Sequence, residues 1–235
     1  MWNGKKKAIT FSYDDGVTQD IRLIEIFNKY GIKGTFNLNS ELLGKPNALI
    51  RDGVKVSHNK VKPEDVKHIY SGHEVAVHTL THPSLPKSDE AEVIRQVEQD
   101  RLNLSELCGY EVFGMAYPGA GLPLSDDRTA EIIKNKTNVK YARVVDVTKS
   151  FDPYPDLYQY KGTVYHHRDF DEMFELGRKF IELECDTPKT FYIWGHAYEF
   201  DIFPERWEKM EEFCRMMSGH GDIFYGTNLE VLTGK

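Results

Sequence analysis

Cysteine is scarce: only Cys108, Cys185 and Cys214 occur in 235 residues, widely spaced and with no C-x-x-C pair. A disulfide framework is therefore not expected, and a reducing compartment is the simpler setting. No stretch approaches the roughly 20 apolar residues that a membrane-crossing helix needs, so no membrane partner is expected. Basic charge is short too, with 30 Lys and Arg against 37 Asp and Glu, a net −7. The one basic run, Lys5 to Lys7, reads as a solvated lead into a strand. Nucleic acid and anionic surfaces are poor partners for such a chain. Repeats and low-complexity linkers are missing as well. The first residues, MWNGKKKAITFSYDDG, carry basic residues without an apolar core or small-residue cleavage site behind them. They do not read as a signal peptide, and a cytoplasmic location is expected.

What is present is an ordinary soluble composition, 40% hydrophobic and 29% charged, long enough for one large α/β domain spanning 1–235. Strand and helix patterns alternate. KAITFSY reads as a strand, and DIRLIEIFNKYG follows as a helix with Ile21, Ile24 and Phe27 at helical spacing and Gly31 to end it. KGTFNLNS is a second strand. Residues 45–61 look turn-rich, apart from a short strand around Val54 to Val56. PEDVKHIYSG reads as a helix and HEVAVHT as a strand. A long helix then runs from Ser88 to Gly109. VFGMAYP, KYARVV, GTVYHH, TFYIWGH and DIFYGT read as further strands separated by helical stretches, and 148–161 as a loop. Repeated β-α units predict a parallel sheet flanked by helices. Seven or eight units in this length predict a closed or nearly closed barrel, with its chemistry at the C-terminal strand ends.

Polar clusters fall at those ends. TFSYDDGVT places two adjacent carboxylates, Asp14 and Asp15, after an apolar strand, where they repel one another unless something compensates. HTLTH places His78 and His82 after another strand, with Pro83 barring an ordinary helix. Two neutral imidazoles and one carboxylate make a three-ligand metal site with an open position. If Asp15 ligates a divalent cation, Asp14 can stay ionised beside it as a base, taking a proton from metal-bound water as that water attacks a carbonyl. His196, from a distant strand, can protonate the leaving amine. Taken singly, DDG is also a turn signal, and H-x-x-x-H is a weak motif.

Taken together, these stretches resemble polysaccharide deacetylases of carbohydrate esterase family four. TFSYDDG resembles the family's T-F-D-D-G motif, HTLTH its H-[ST]-x-x-H motif and YIWGH its last, histidine-ended strand. The resemblance implies a distorted (β/α)₇ barrel and metal-assisted hydrolysis of an N- or O-acetyl group on a sugar. It implies Asp14 as catalytic base, Asp15, His78 and His82 as metal ligands, and His196 as general acid. Zinc is the first choice of metal, and cobalt, nickel or iron suit the same ligands. The expected partner is an acetylated carbohydrate, a glycan fragment or a small amide.

Two departures from the family pattern stand out. The third motif, usually R-x-P-[YFG], is Met115-Ala116-Tyr117-Pro118-Gly119 here, with Ala116 in place of the arginine that pairs with the base. Arg143, on the next strand, is the candidate replacement. The fourth motif, an aspartate with a tryptophan that tunes the acid histidine, is not evident, and Asp146 and Asp152 are its candidates. Tyr117, Pro118, Gly119, Trp194 and His166 are candidate substrate contacts. His167 and Glu199 are weaker ones, and His73 reads as structural. Other readings are a cyclic-amide hydrolase on the same scaffold, a carbohydrate-binding protein with impaired turnover, and an iron(II) oxygenase using the same two-histidine, one-carboxylate set.

Overall fold

The computed structural model describes residues 2–119 and 123–234. Strand β1 (Lys7–Asp14) is buried along its whole length, as expected of a strand flanked on both edges and covered on both faces in a parallel sheet. It pairs in parallel with β2 (Thr35–Leu38) near its C-terminal end. Helix α1 (Asp20–Lys29) connects the two and buries Leu23, Ile24, Ile26 and Phe27. Ile21, read from spacing as a core position, instead points out and is 43% exposed.

A two-stranded antiparallel hairpin, β3 (Ala48–Arg51) and β4 (Val54–Ser57), follows outside the main sheet. The sequence reading held β4 but not its partner. The Asp52-Gly53 turn between them, with both residues at positive φ, is a strong short-range hairpin signal. Helix α2 (Val66–Ile69) then leads to β5 (Glu74–Val77).

The long helix expected from Ser88 begins one residue later. Asp89 accepts from Glu92 N–H as the N-cap, because its carboxylate reaches the free amides of the first turn. Helix α3 (Glu90–Ile94) runs through a π segment at Arg95–Gln99 into α4 (Asp100–Cys108), which Gly109 ends at φ +77°. Next come β6 (Gly114–Ala116), α5 (Asp127–Lys136) and β7 (Tyr141–Val147). The stretch read as GTVYHH forms two pieces, β8 (Tyr160–Gly162) and β9 (Val164–Tyr165), so the preceding loop ends earlier than expected. Helix α6 (Phe170–Glu182), β10 (Lys189–Gly195), α7 (Glu205–Met217), β11 (Ile223–Tyr225) and α8 (Asn228–Thr233) complete the order.

Every pairing in the main sheet is parallel, in the order β8-β7-β6-β5-β2-β1-β10-β9, with β11 on the N-terminal half of β1. The two end strands of that order, β8 and β9, are separated by Thr163 alone, whose N–H donates to Tyr192 O at 2.8 Å. The sheet therefore curls toward a barrel. This is the α/β architecture expected, with helices outside a parallel sheet and an aromatic-rich core including Phe11, Phe27, Phe191 and Phe213. Asp14, His78 and His196 lie at or just past the C-terminal ends of β1, β5 and β10.

Candidate active site and metal centre

The base candidate is held by strands. Asp14 ends β1 and is 2% exposed. Its register partner on β2 is Asn37, whose Nδ2 donates to Asp14 Oδ1 at 2.8 Å. Arg143 Nη2 lies 2.5 Å from both carboxylate oxygens. The guanidinium is fully buried and sits 4.4 Å over the Trp194 ring. Arg143 and Ala116 are cross-strand partners on β7 and β6, so their side chains leave the sheet on the same face. The guanidinium has in effect moved one strand over from the motif position. A small residue at 116 leaves its backbone carbonyl open, and that carbonyl accepts from His78 Nδ1 at 2.9 Å.

The ligand candidates are held by turns. Asp15 adopts φ +84°, Thr79 +70° and His82 +63°, conformations uncommon for residues other than glycine and typical of functional sites. The turn after β5 is pinned by Asn39 Nδ2, which donates to His78 O at 2.5 Å and Thr79 O at 2.9 Å. Gln96, in the π segment, accepts from Leu80 N–H on its carbonyl and from Thr81 N–H on its side chain. One ligand atom each from Asp15, His78 and His82 lies within 4.8 Å of the others. His78 is buried, and its Nε2 has no hydrogen-bond partner among the described residues. Burial lowers the pKa of His82 and brings that of His78 down to about 4, which leaves both imidazoles neutral, as metal ligands must be.

Asp15 is also contacted by side chains that the sequence reading passed over. His58 Nε2 lies 3.0 Å from its Oδ2, and Lys60 Nζ lies 3.4 Å from its Oδ1 and 2.6 Å from its backbone oxygen. Burial alone would raise the Asp15 pKa. Lys60, then His58 and the neighbouring histidines, outweigh it and hold the carboxyl well below the usual range.

His196 follows β10, and its Nε2 is 3.9 Å from both Asp14 Oδ2 and Asp15 Oδ2. Its Nδ1 is 3.1 Å from Glu199 Oε1. Burial pushes the imidazole down, but Glu199, followed by Asp15 and Asp14, outweighs it and raises the pKa to about 9. Glu199 is wholly buried and also meets His166, Tyr165 and Arg51. It is the carboxylate that faces His196 Nδ1. Asp146 and Asp152 do not: both are exposed, paired with Lys161 and Lys189 respectively. The reason is topological, since Glu199 lies one turn beyond the histidine it faces.

A cavity of about 1060 Å³ opens over these groups, with Asp14, Asp15, His82, Gly119, Trp194 and His196 in its lining. Tyr165 stacks on Trp194 at 4.1 Å along one wall. Three candidate contacts fall elsewhere. Tyr117 is buried, with its hydroxyl donating to Tyr158 O, and Pro118 is buried beside it. His166 is 1% exposed and packed against Phe200 and Gly195, where a Cβ would meet its Cδ2 at 1.7 Å. It lies outside the cavity lining. His167 bonds Asp52 at the hairpin tip, and His73 bonds Asn28 and Gly34 N–H as a structural residue.

The family model for polysaccharide deacetylase matches residues 2–142, more than half of the chain. The chain belongs to the polysaccharide deacetylase family. No curated protein matches it. Among solved structures, it resembles a family 4 carbohydrate esterase from Streptomyces lividans at 12% identity and TM-score 0.58, covering 95% of this chain and 92% of that one. The peptidoglycan deacetylase PdaC from Bacillus subtilis is similar at 14% identity and TM-score 0.54, covering 96% and 90%. A family 4 carbohydrate esterase pseudoenzyme from Bacillus anthracis is similar at 14% identity and TM-score 0.57, with 97% of this deacetylase-family chain aligned over 66% of that protein. The chain thus spans just under two thirds of that last neighbour. At such identities the likeness is one of fold.

Proposed function

We propose that the chain is a metal-dependent deacetylase removing an N- or O-acetyl group from a sugar, a glycan fragment or a related small amide. The observation that carries this reading is the meeting at one rim of the Asp15, His78 and His82 ligand atoms with Asp14 and His196 beside them. The donor set fits a divalent cation. Two neutral imidazoles and a carboxylate suit zinc first, and cobalt, nickel or iron after it. A buried His78 Nε2 without a partner among the described residues and the carbonyl fixing its other nitrogen are what a ligating histidine requires. When bound, the metal supplies Lewis acidity and a water of lowered pKa.

The chain's own residues supply the rest. Arg143 and Asn37 donate to Asp14 and hold it in one orientation. Its Oδ2, the oxygen facing His196, takes the proton of the attacking water. His196, kept protonated by Glu199, returns a proton to the departing amine or alkoxide. Trp194 and Tyr165 offer a stacked aromatic wall to a sugar ring, and Gly119 keeps the facing edge open. Tyr117, Pro118 and His166 act from behind that lining. The names of the neighbours support an acetylated glycan: one was seen with acetate and another is a peptidoglycan deacetylase.

A carbohydrate-binding protein with impaired turnover is the second reading. It rests on Ala116, and it is made concrete by the pseudoenzyme of this fold. Acetate release from acetylated chito-oligosaccharides, mono-sugars and acetyl esters, by metal-stripped protein with and without zinc or cobalt, separates the two. Metal-dependent release supports the deacetylase. Metal binding without release from any substrate supports the binder.

A further inference from the structure

The cation nearest the candidate ligand carboxylate is not in the strand framework. It arrives on the chain returning from the β3–β4 hairpin. Lys60 is buried, with a side chain 4% exposed, and its ammonium lies 3.4 Å from Asp15 Oδ1. Both ligand histidines face that same oxygen, His82 Nε2 at 3.7 Å and His78 Nε2 at 3.9 Å. Lys60 also donates to the Asp15 backbone oxygen at 2.6 Å, on a residue whose φ is +84°. Asp15 is the one carboxylate within ion-pair distance of Lys60 among the described residues. The other Asp15 oxygen is held by His58 Nε2 at 3.0 Å. Asn47 Nδ2 lies 3.2 Å from His58 Nδ1, and a donor there assigns the ring proton to Nε2.

The two contacts differ in kind. His58 offers a neutral donor, which orients a carboxylate and leaves its charge for a metal. Lys60 offers a cationic ammonium at 3.4 Å from Oδ1, which satisfies the carboxylate without a metal and repels one that binds beside it. We infer that Lys60 is a resident counter-cation of the ligand carboxylate: it holds Asp15 in its strained ligating position while no divalent ion is there, and it weakens the hold on an ion once bound. The site would then exchange metal readily at the expense of affinity. This inference rests on the metal-dependent reading above.

The test measures zinc and cobalt affinity by chelator competition at fixed pH, together with thermal stability of the metal-free and metal-loaded protein. Lys60→Gln keeps a donor for the Asp15 carbonyl but no charge, Lys60→Met removes both, and Lys60→Arg keeps the charge. Lys60→Gln is expected to bind metal about tenfold or more tighter, to melt lower when metal-free, and to gain more from added metal than the wild type does. Lys60→Met should move the same way, while Lys60→Arg stays near the wild type. His58→Ala should move oppositely, losing about 10–100-fold in affinity. Unchanged or weaker affinity in Lys60→Gln and Lys60→Met overturns the inference and leaves Lys60 a packing residue. If the wild type binds no metal but Lys60→Gln does, the inference holds and metal dependence of the native chain falls. If neither binds, both fall.

Discussion

Asp14 and Asp15 are consecutive, yet they are held by different parts of the molecule. The partners of Asp14 are strand residues, Asn37 on β2 and Arg143 on β7. Those of Asp15 are His58 and Lys60 from the return of the hairpin and, across the cluster, His78 and His82 from the turn after β5. Strand partners are set by register, so a charge can pass from position 116 to its cross-strand neighbour 143 and still reach the same carboxylate. Loop partners are set by turn geometry. There the backbone itself is bent to the task, with three non-glycine residues at positive φ.

The largest effect that distinguishes the two carboxylates is expected from Asp14→Asn. Turnover should fall by about 10²–10⁴-fold, the scale of lost general-base catalysis, while metal content is unchanged. Loss of metal together with turnover would erase the distinction. Arg143→Ala comes next, since it leaves a buried carboxylate without its cation. It is expected to lose about 3–5 kcal/mol of stability along with most activity, and Arg143→Lys should recover part of each. Denaturant unfolding and a pH–rate profile check this together. If neither variant alters the rate or its acidic limb, Arg143 does not serve the base.

The same contrast explains what could be read from the sequence. The β-α alternation, the parallel sheet and the rim position of Asp14, His78 and His196 were legible because buried strands and amphipathic helices have strong periodicity. Arg143 was legible because one strand-end charge was missing and another lay on the next strand. His58 and Lys60 were not, because nothing in a turn-rich segment says which way its side chains face. The Asp52-Gly53 turn was the available signal: it would have paired β3 with β4 and shown that 58–60 returns toward the body. Glu199 reads from the sequence only as a weaker substrate contact, because the family motif that tunes the acid histidine calls for an aspartate. His166 was placed at the substrate because it ends a strand. It turns inward against Gly195, where a missing side chain makes room.

A third expected effect concerns His196. Glu199→Gln removes the charge that raises its pKa to about 9. The folded-state value lies above that of the unfolded chain, so the pairing stabilises the protein at lower pH and that stability is lost as pH rises through about 9. A protonated acid is likewise lost with rising pH. Glu199→Gln should therefore move the alkaline limb of kcat to lower pH by about one unit or more, and the effect should be greater on amides than on activated esters. An unmoved limb would mean that His196 is not the group titrating there.

The smallest effect is on stability and comes from a third carboxylate. Asp20 is fully buried at the start of α1 and accepts from the Tyr70 hydroxyl at 2.7 Å, while its Oδ1 has no partner among the described residues. Burial raises its pKa to about 8. Tyr70 and Lys60 pull it back in part, and Asp15 and Asp14 add repulsion. Unlike Asp15, it has no cation within ion-pair distance among the described residues, so burial dominates. The sign follows from linkage. Below about pH 4 the group is protonated in both the folded and unfolded states. Between that point and about 8 the unfolded chain ionises while the folded one does not, so stability is lost as pH rises. Asp20→Asn keeps an acceptor for Tyr70 and removes the titration. It should match the wild type near pH 4 and exceed it increasingly as pH rises toward 8, read as a melting-temperature difference that widens with pH. A constant difference would show that Asp20 is already ionised in the folded protein, and that the Lys60 charge reaches past Asp15 to serve it as well.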